Sequence, residues 1–580
     1  MRPAQPSAHA ILAYVAASGN PREGGAYDSS VSGRMIAALP SFAWCTVKPV
    51  SLVAAALLVS AGLAGCDRHA HAFASAQPAS GSAALPGKAA ASPGIAWFSG
   101  TVEEAFAHAR MEHKPVFLYW GASWCPPCHE LKATVFSRPE FIEKSKLFIA
   151  VHLDGDDPGA QRWGEVFHVL GYPTVLILRD EHTELERISG GLDMDEYARV
   201  LDLALGDVRP VRELLTAVTA PGTALSADDC RRLAYYAWDD LADDASVPHL
   251  SQTLSEAVER CPSQSSTERM RLTIAATMIQ VGAEQAALKA GKAPSPHLSM
   301  LIGQVYELVA NSARAVRAAD VLESLGDSFF SAARQVPGVD AAELLRRWES
   351  VMDSAAADAR YSDADRLDAL ESKLRAVKAL SPSRAIPPEL AAFAEQRIDT
   401  VLAQTHDEHA RASAVNSALN MLEVLGDDAK ADAILHQQLT VSKSPYYYMP
   451  DIAALEEKRG HKEAAIEWLA RGYHESQGAA TRFQWGLQYV LGLVRLAPDD
   501  EARIRSAGLS VLGELSGPDR IYARTRLLLQ KLDTSLRRWN EHGTHEATIA
   551  ALRDKLHGVC ADIPAADPAQ KSCSGFLAKA

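Results

Sequence analysis

Cys125-Pro126-Pro127-Cys128, with Trp124 before it at the end of an apolar run, is where side-chain type and spacing in this chain could do chemistry. Two thiols this close, placed where a strand gives way to a helix, form a reversible dithiol/disulfide pair. A thiolate at Cys125 could attack another protein's disulfide, and Cys128 would then resolve the mixed intermediate. That chemistry demands a sulfur of lowered pKa that incoming proteins can reach. A helix beginning at Cys125 would lower the pKa, because free amide groups and the dipole at its N-terminus favour a negative sulfur. Pro126 and Pro127 fit the first helical turn, where a missing amide hydrogen costs little.

The surrounding elements follow from periodicity and punctuation. Thr101-Val-Glu-Glu104 is a capping box opening a helix to about Glu112. Val116 to Trp120 reads as a buried strand ahead of the dithiol helix, and Leu147 to Leu153 as a second strand. A helix is expected over Ala160 to Val169. Gly171-Tyr172-Pro173-Thr174 leads into a strand over Val175 to Leu178, and Leu185 to Ser189 forms the next. Asp193 would cap a last helix ending near Leu205. Alternating strands and helices followed by two successive strands predict a small mixed sheet covered by helices.

Lys114 to Leu201 resembles the thioredoxin superfamily, and most of all the C-terminal periplasmic domain of the bacterial thiol:disulfide interchange reductase. The resemblance is carried by Lys114-Pro-Val-Phe-Leu, Trp124-Cys-Pro-Pro-Cys128, Thr134-Val-Phe-Ser-Arg-Pro-Glu-Phe141 and Gly171-Tyr-Pro-Thr174. It implies that Pro173 is cis and faces the dithiol, with Tyr172 offering its backbone to a substrate chain. It also implies protein-disulfide reduction with no cofactor beyond the Cys125–Cys128 pair, acting on disulfide-containing client proteins. Two positions depart from the pattern: Tyr119 stands where family members often carry a buried acid, and Lys132 where the reductase branch has a second one. Proton removal from Cys128 would then fall to water, Glu130 or His129. The family's eight-helix electron-delivering membrane domain has no counterpart in the sequence, so a separate thiol protein would have to act as electron donor. The Trp-Cys-Pro-Pro-Cys string also resembles reductants of apocytochrome thiols in cytochrome c maturation.

Upstream, Lys48 precedes an apolar run from Val50 to Leu63 that ends in Leu63-Ala64-Gly65-Cys66. At about 14 residues this is short of the ~20 that a spanning helix needs, and it reads as an export signal. The four-residue ending resembles the bacterial lipoprotein box, which implies lipidation at Cys66 and a periplasmic protein held to the membrane by lipid alone. Asp67, next to the lipidated position, resembles a signal for inner-membrane retention, and Met35 is an alternative start. Residues 66–94, rich in Ala, Ser, Gly and Pro, read as a flexible tether. Setting aside Cys45, Cys66 and the reactive pair leaves Cys230, Cys261, Cys560 and Cys573 of the eight cysteines. In an oxidising compartment four cysteines allow three pairings. Cys230–Cys261 and Cys560–Cys573 are favoured because each pair is near in sequence, with free buried thiols as the alternative.

From about residue 209 the pattern is helix after helix, with apolar residues at three and four spacing. Gly426, Ala431 and Leu435 recur 34 residues on as Gly460, Ala465 and Leu469, the period of helix-turn-helix tetratricopeptide arrays. The whole therefore reads as an α/β thioredoxin fold followed by a large all-α, solenoid-like domain. The expected divisions are 1–65 (extension and signal), 66–94 (tether), 95–208 (redox domain) and 209–580 (helical, partner-binding).

Other chemistries fit the sequence less well. Net charge −14 argues against nucleic acid as a partner, since phosphate binding wants clustered Lys and Arg. Cys125-Pro-Pro-Cys128-His129 also spells a c-type haem attachment string, but the preceding buried strand and the downstream Gly171-Tyr-Pro-Thr174 favour the redox dithiol. One C-x-x-C is half a zinc site, and the close pairs His69/His71, His406/His409 and His542/His545 read as solvated surface histidines, so no metal is expected. Tyr446-Tyr-Tyr448 could line a peptide groove, though filling a helical core is the plainer role.

Overall fold

A computed structural model describes residues 94–578, apart from 158, 181–182, 189–193, 207, 239–248 and 518–519. The signal, Cys45, Cys66, the tether, His69, His71 and the Asp193 cap lie outside the described residues.

Strands β1 (Val116–Gly121), β2 (Ile149–Asp154), β3 (Thr174–Asp180) and β4 (Thr183–Ile188) form one sheet in the order β2-β1-β3-β4. β1 runs parallel to β2 and antiparallel to β3, and β3 pairs antiparallel with β4. Every residue of central β1 is buried, and its side chains alternate between two cores. Phe117 and Tyr119 join one core, whereas Val116, Leu118 and Trp120 join the other. A sheet so covered on both faces needs helices on each side. They are α1 (Val102–Glu112), α2 (Pro126–Leu131, continued by a π turn over Lys132–Phe136), α3 (Pro139–Ser145), α4 (Ala160–Val166) and α5 (Met194–Ala204).

The Thr101–Glu104 capping box closes with both of its hydrogen bonds. α3 was not foreseen as a helix; Pro139 opens it, and its Phe141 is fully buried against Phe117. The helix expected to reach Val169 stops at Val166 instead, because His168 takes a left-handed φ of 52° and turns the chain toward β3.

The rest of the described chain is helical. Ser266–Lys289 is buried on most sides over its first half and anchors the helices around it. Further on, Glu408–Leu425 with Asp428–Val441, Met449–Lys458 with Lys462–Glu475, and Ala479–Leu496 with Glu501–Gly513 form consecutive helix pairs. The repeated positions coincide in structure. Gly426 and Gly460, with φ of 77° and 83°, each follow the first helix of a pair, and Ala431/Leu435 and Ala465/Leu469 line the buried face of the second.

Among the described residues, packing continues across position 208. One hydrophobic core runs continuously from Phe117 through Tyr197, Leu233 and Leu422 to Leu577, and all described residues belong to one compact unit. β4, the edge strand, is met by the helical region: Ile188 forms a bridge with Tyr236, and the Ala237 amide donates to the Arg187 carbonyl at 3.0 Å. Glu186 and Arg232 form a buried ion pair across the same seam, 3.0 Å apart. Among the described residues, no helix is long and apolar enough to cross a membrane.

Candidate functional site

The loop after β1 delivers the two cysteines to the start of α2. Asp154, at the end of the neighbouring strand, accepts from the Ser123 amide at 3.1 Å and fixes that loop. Cys125 is the N-cap of α2, and the Cys128 amide donates to its sulfur at 3.2 Å. A backbone N–H without a helical partner is thus aimed at the atom that would carry negative charge. The two sulfurs are joined to each other, with Cα atoms 5.2 Å apart. The Tyr172–Pro173 bond is cis, and the Tyr172 ring meets the Trp124 ring edge-on at 6.0 Å. Gly155 permits this placement, since a Cβ there would lie 2.0 Å from the Tyr172 hydroxyl.

The expectation of a reachable sulfur is not met in this conformation. Cys125 is 2% exposed, Cys128 0% and Trp124 6%. The cause is the helical half, which packs directly on the dithiol loop. Trp124 stacks on Tyr447 at 5.9 Å and meets Trp485 edge-on at 4.9 Å. Its indole N–H donates to the Thr481 hydroxyl at 3.0 Å. Thr481 in turn donates to Asp156 at 2.6 Å, and Asp156 also accepts from the Ala480 and Thr481 amides at 2.7 and 3.2 Å. Helix Ala479–Leu496 has a glycine, Gly478, at its N-cap position, so Asp156, more than three hundred residues away in sequence, supplies the missing cap. Helix Glu408–Leu425 lies along α2, and Arg526 clamps Glu165 of α4 through two hydrogen bonds of 2.7 and 3.1 Å.

The same packing sets the acid–base character of the neighbouring groups. Burial pulls His129 down to about 4, and His409 and Lys132 act in the same direction. The two imidazoles meet Nδ1 to Nδ1 at 2.6 Å, while His129 Nε2 lies 3.1 Å from the Ser123 carbonyl. A carbonyl needs a donor, so neutral His129 carries its proton on Nε2 and accepts from His409 at Nδ1. Burial raises Glu130 to about 7, with Asp365 adding to the effect. Of the two protein groups weighed for proton removal, Glu130 therefore titrates near neutrality and His129 far below it. Burial lowers Lys132 and raises Tyr119, whose hydroxyl is buried without a hydrogen-bond partner. Glu130, Pro127 and Pro173 line a cavity of about 510 Å3 whose far wall is helical, and neither sulfur lines it.

A family model described as thioredoxin-like matches residues 96–179. Residues 96–179 are a thioredoxin-like domain. The thiol:disulfide interchange protein DsbD of Haemophilus influenzae strain PittGG is 27% identical over 101 residues, 17% of this chain and 17% of that protein. The same protein from strain 86-028NP is 28% identical over 97 residues, 16% of this chain and 17% of that one. The chain thus matches only about a sixth of the length of these curated relatives.

Elsewhere, the structure joins Cys230 to Cys261 and Cys560 to Cys573, with S–S distances of 2.08 and 2.02 Å. The first bridge ties helix Ala227–Tyr235 to the end of Leu250–Arg260. His409 is no solvated surface residue but the partner of His129, and His545 stacks on Trp539 at 3.8 Å. Tyr446, Tyr447 and Tyr448 are all buried, in a core that includes Trp124. Among the described residues, no group of three or more His, Cys, Asp or Glu is arranged to hold a metal. The sequence did not reveal Gly478, Thr481, Trp485 and Arg526 as neighbours of the dithiol domain, or Asp156 as the residue of that domain that meets them. One signal existed: a helix entered by Gly478-Ala-Ala lacks a capping side chain of its own.

Proposed function

We propose that this chain is a thiol:disulfide oxidoreductase of the bacterial periplasm, tethered by lipid at Cys66 and working in the reducing direction. The observation that carries the reading is the Cys128 amide aimed at the Cys125 sulfur at the head of α2, with the Tyr172-Pro173 turn beside Trp124. The likeness of this region to proteins named thiol:disulfide interchange proteins supports it.

The electron balance is simple. The Cys125 thiolate attacks one sulfur of a client disulfide, forming a mixed disulfide and releasing a client thiolate. The Cys128 thiolate then attacks the Cys125 sulfur, restoring the bond between Cys125 and Cys128 and releasing the second client thiol. Two electrons pass to the client, which takes up two protons. A separate donor dithiol re-reduces the pair and leaves as a disulfide. Trp124 shapes the approach, and Tyr172 with Pro173 docks the client backbone. Water, Glu130 and His129 are the candidates for proton transfer with Cys128; Glu130 is raised to about 7 but lines a cavity that neither sulfur lines.

The test is a Cys128→Ala chain, which should accumulate mixed disulfides with client proteins that dissolve on adding dithiothreitol. Failure to trap any client, while the wild-type chain reduces insulin, counts against this mechanism. A second reading, an assembly scaffold of helices with a silent redox appendage, is favoured by the burial of both sulfurs. An unchanged phenotype for Cys125→Ala, set against a strong one for removing residues 209–580, would select it.

A further inference from the structure

We propose that the helical region is a built-in lid on the dithiol, latched by Asp156 at the N-terminus of helix Ala479–Leu496, and that a protein client reaches Cys125 only when this latch opens. The proposal rests on the oxidoreductase reading. A thiolate that attacks a folded partner must present its sulfur at the surface, yet Cys125 is 2% exposed. Both flanks of that sulfur are occupied by one distant stretch of chain: Trp124 by Tyr447, Thr481 and Trp485, and His129 by His409. The adjoining cavity offers no detour, since neither sulfur lines it.

The latch is built from few atoms. One carboxylate, Asp156, receives two backbone amides and one hydroxyl, and that hydroxyl also holds the Trp124 indole. Losing Asp156 therefore uncaps the helix and leaves Thr481 with one partner instead of two. Gly478 fits the latch in two ways. Its φ is +82°, and a Cβ there would sit 2.1 Å from the Asp156 carboxyl carbon. Glycine is the residue that allows both the backbone turn and the approach of the carboxylate. The contacts at Asp156 itself are polar and partly exposed, whereas Trp124, Tyr447 and Trp485 beside them are buried in the apolar core that continues through Tyr197 and Leu233, so the latch is the polar margin of an apolar seam.

The experiment compares full-length wild type with Asp156→Ala, which adds no bulk, and with Gly478→Ala, which wedges the latch. Two readouts are taken on each chain: insulin reduction, and hydrogen exchange at the amides of residues 128–131. Both variants should exchange faster at these amides and reduce insulin about 2- to 30-fold faster than wild type, the range that the loss of one cap of about 0.5–2 kcal/mol predicts. Equal insulin rates in wild type and Asp156→Ala overturn the lid while leaving the oxidoreductase reading intact. Faster exchange in Asp156→Ala with no insulin reduction by any chain supports the lid and overturns the oxidoreductase reading. Unchanged exchange in both variants overturns the latch itself, and Asp156→Ala keeps that outcome decisive even where Gly478→Ala fails to fold.

Discussion

Replacing His129 by Gln should flatten the acid limb of this protein's stability. His129 titrates at about 4 in the folded chain, against an ordinary value of 6.5, because burial, His409 and Lys132 all disfavour its charge. The sign follows from proton counting. Between these two values the unfolded chain binds more protons at this site than the folded one, so acidification favours unfolding. No penalty exists above pH 6.5; it grows as pH falls and levels off near 4. Each pH unit removes up to about 1.4 kcal/mol, so the window is worth roughly 3 kcal/mol at most, and about 2 kcal/mol once solvent at the outer edge of the pair is allowed for. His409, lowered in the same direction, adds to the loss. Urea unfolding at pH 7.5 and 4.5 measures it. Carboxylate titrations are common to both chains, so wild type should lose about 2 kcal/mol more than His129→Gln over this interval. Parallel pH profiles for the two proteins would refute the neutral imidazole pair and the tautomer assigned to it.

Thr481→Val keeps the shape of the side chain but removes the hydroxyl between Trp124 and Asp156. Leaving the indole N–H unpaired should cost about 1–3 kcal/mol, read as a lowered Tm together with a shift in tryptophan fluorescence. Arg232→Met leaves the fully buried Glu186, which burial already raises to about 8, protonated and without its partner, and should cost about 1–3 kcal/mol in urea unfolding, much of it regained in Glu186→Gln/Arg232→Met. Serine at both Cys230 and Cys261, whose separation is 31 residues, should lower stability by about 3–4 kcal/mol. If the double serine chain unfolds at the wild-type urea midpoint, that bridge is not formed in the protein.

Much of the redox half was legible because its signals are local. The capping box at Thr101, the apolar run into Trp124 and the turn at Tyr172-Pro173 each fix backbone within a few residues of the signal. The π turn after Leu131 and helix Pro139–Ser145 escaped, since short segments carry too few turns for apolar periodicity to register. Repetition in the helical half was readable only where a left-handed glycine ends a helix, at Gly426 and Gly460. What sequence could not disclose was the covering of Cys125. Trp124 and Thr481 are 357 residues apart, and no periodic pattern encodes a contact of that kind. The same holds for His409, whose neighbour His406 made it look like an ordinary surface histidine.

The bridge between Ile188 and Tyr236 gives β4 a neighbour on the side where a sheet would otherwise end. Bare strand margins recruit other chains, and folded proteins shield them. Here the shield is supplied from beyond the redox segment, by the extended residues that end helix Ala227–Tyr235. A fragment cut at residue 208 would bare that margin along with the apolar flank around Ile188 and Tyr197, and it should self-associate. Reduction potentials of this protein are therefore best measured on the uncut chain.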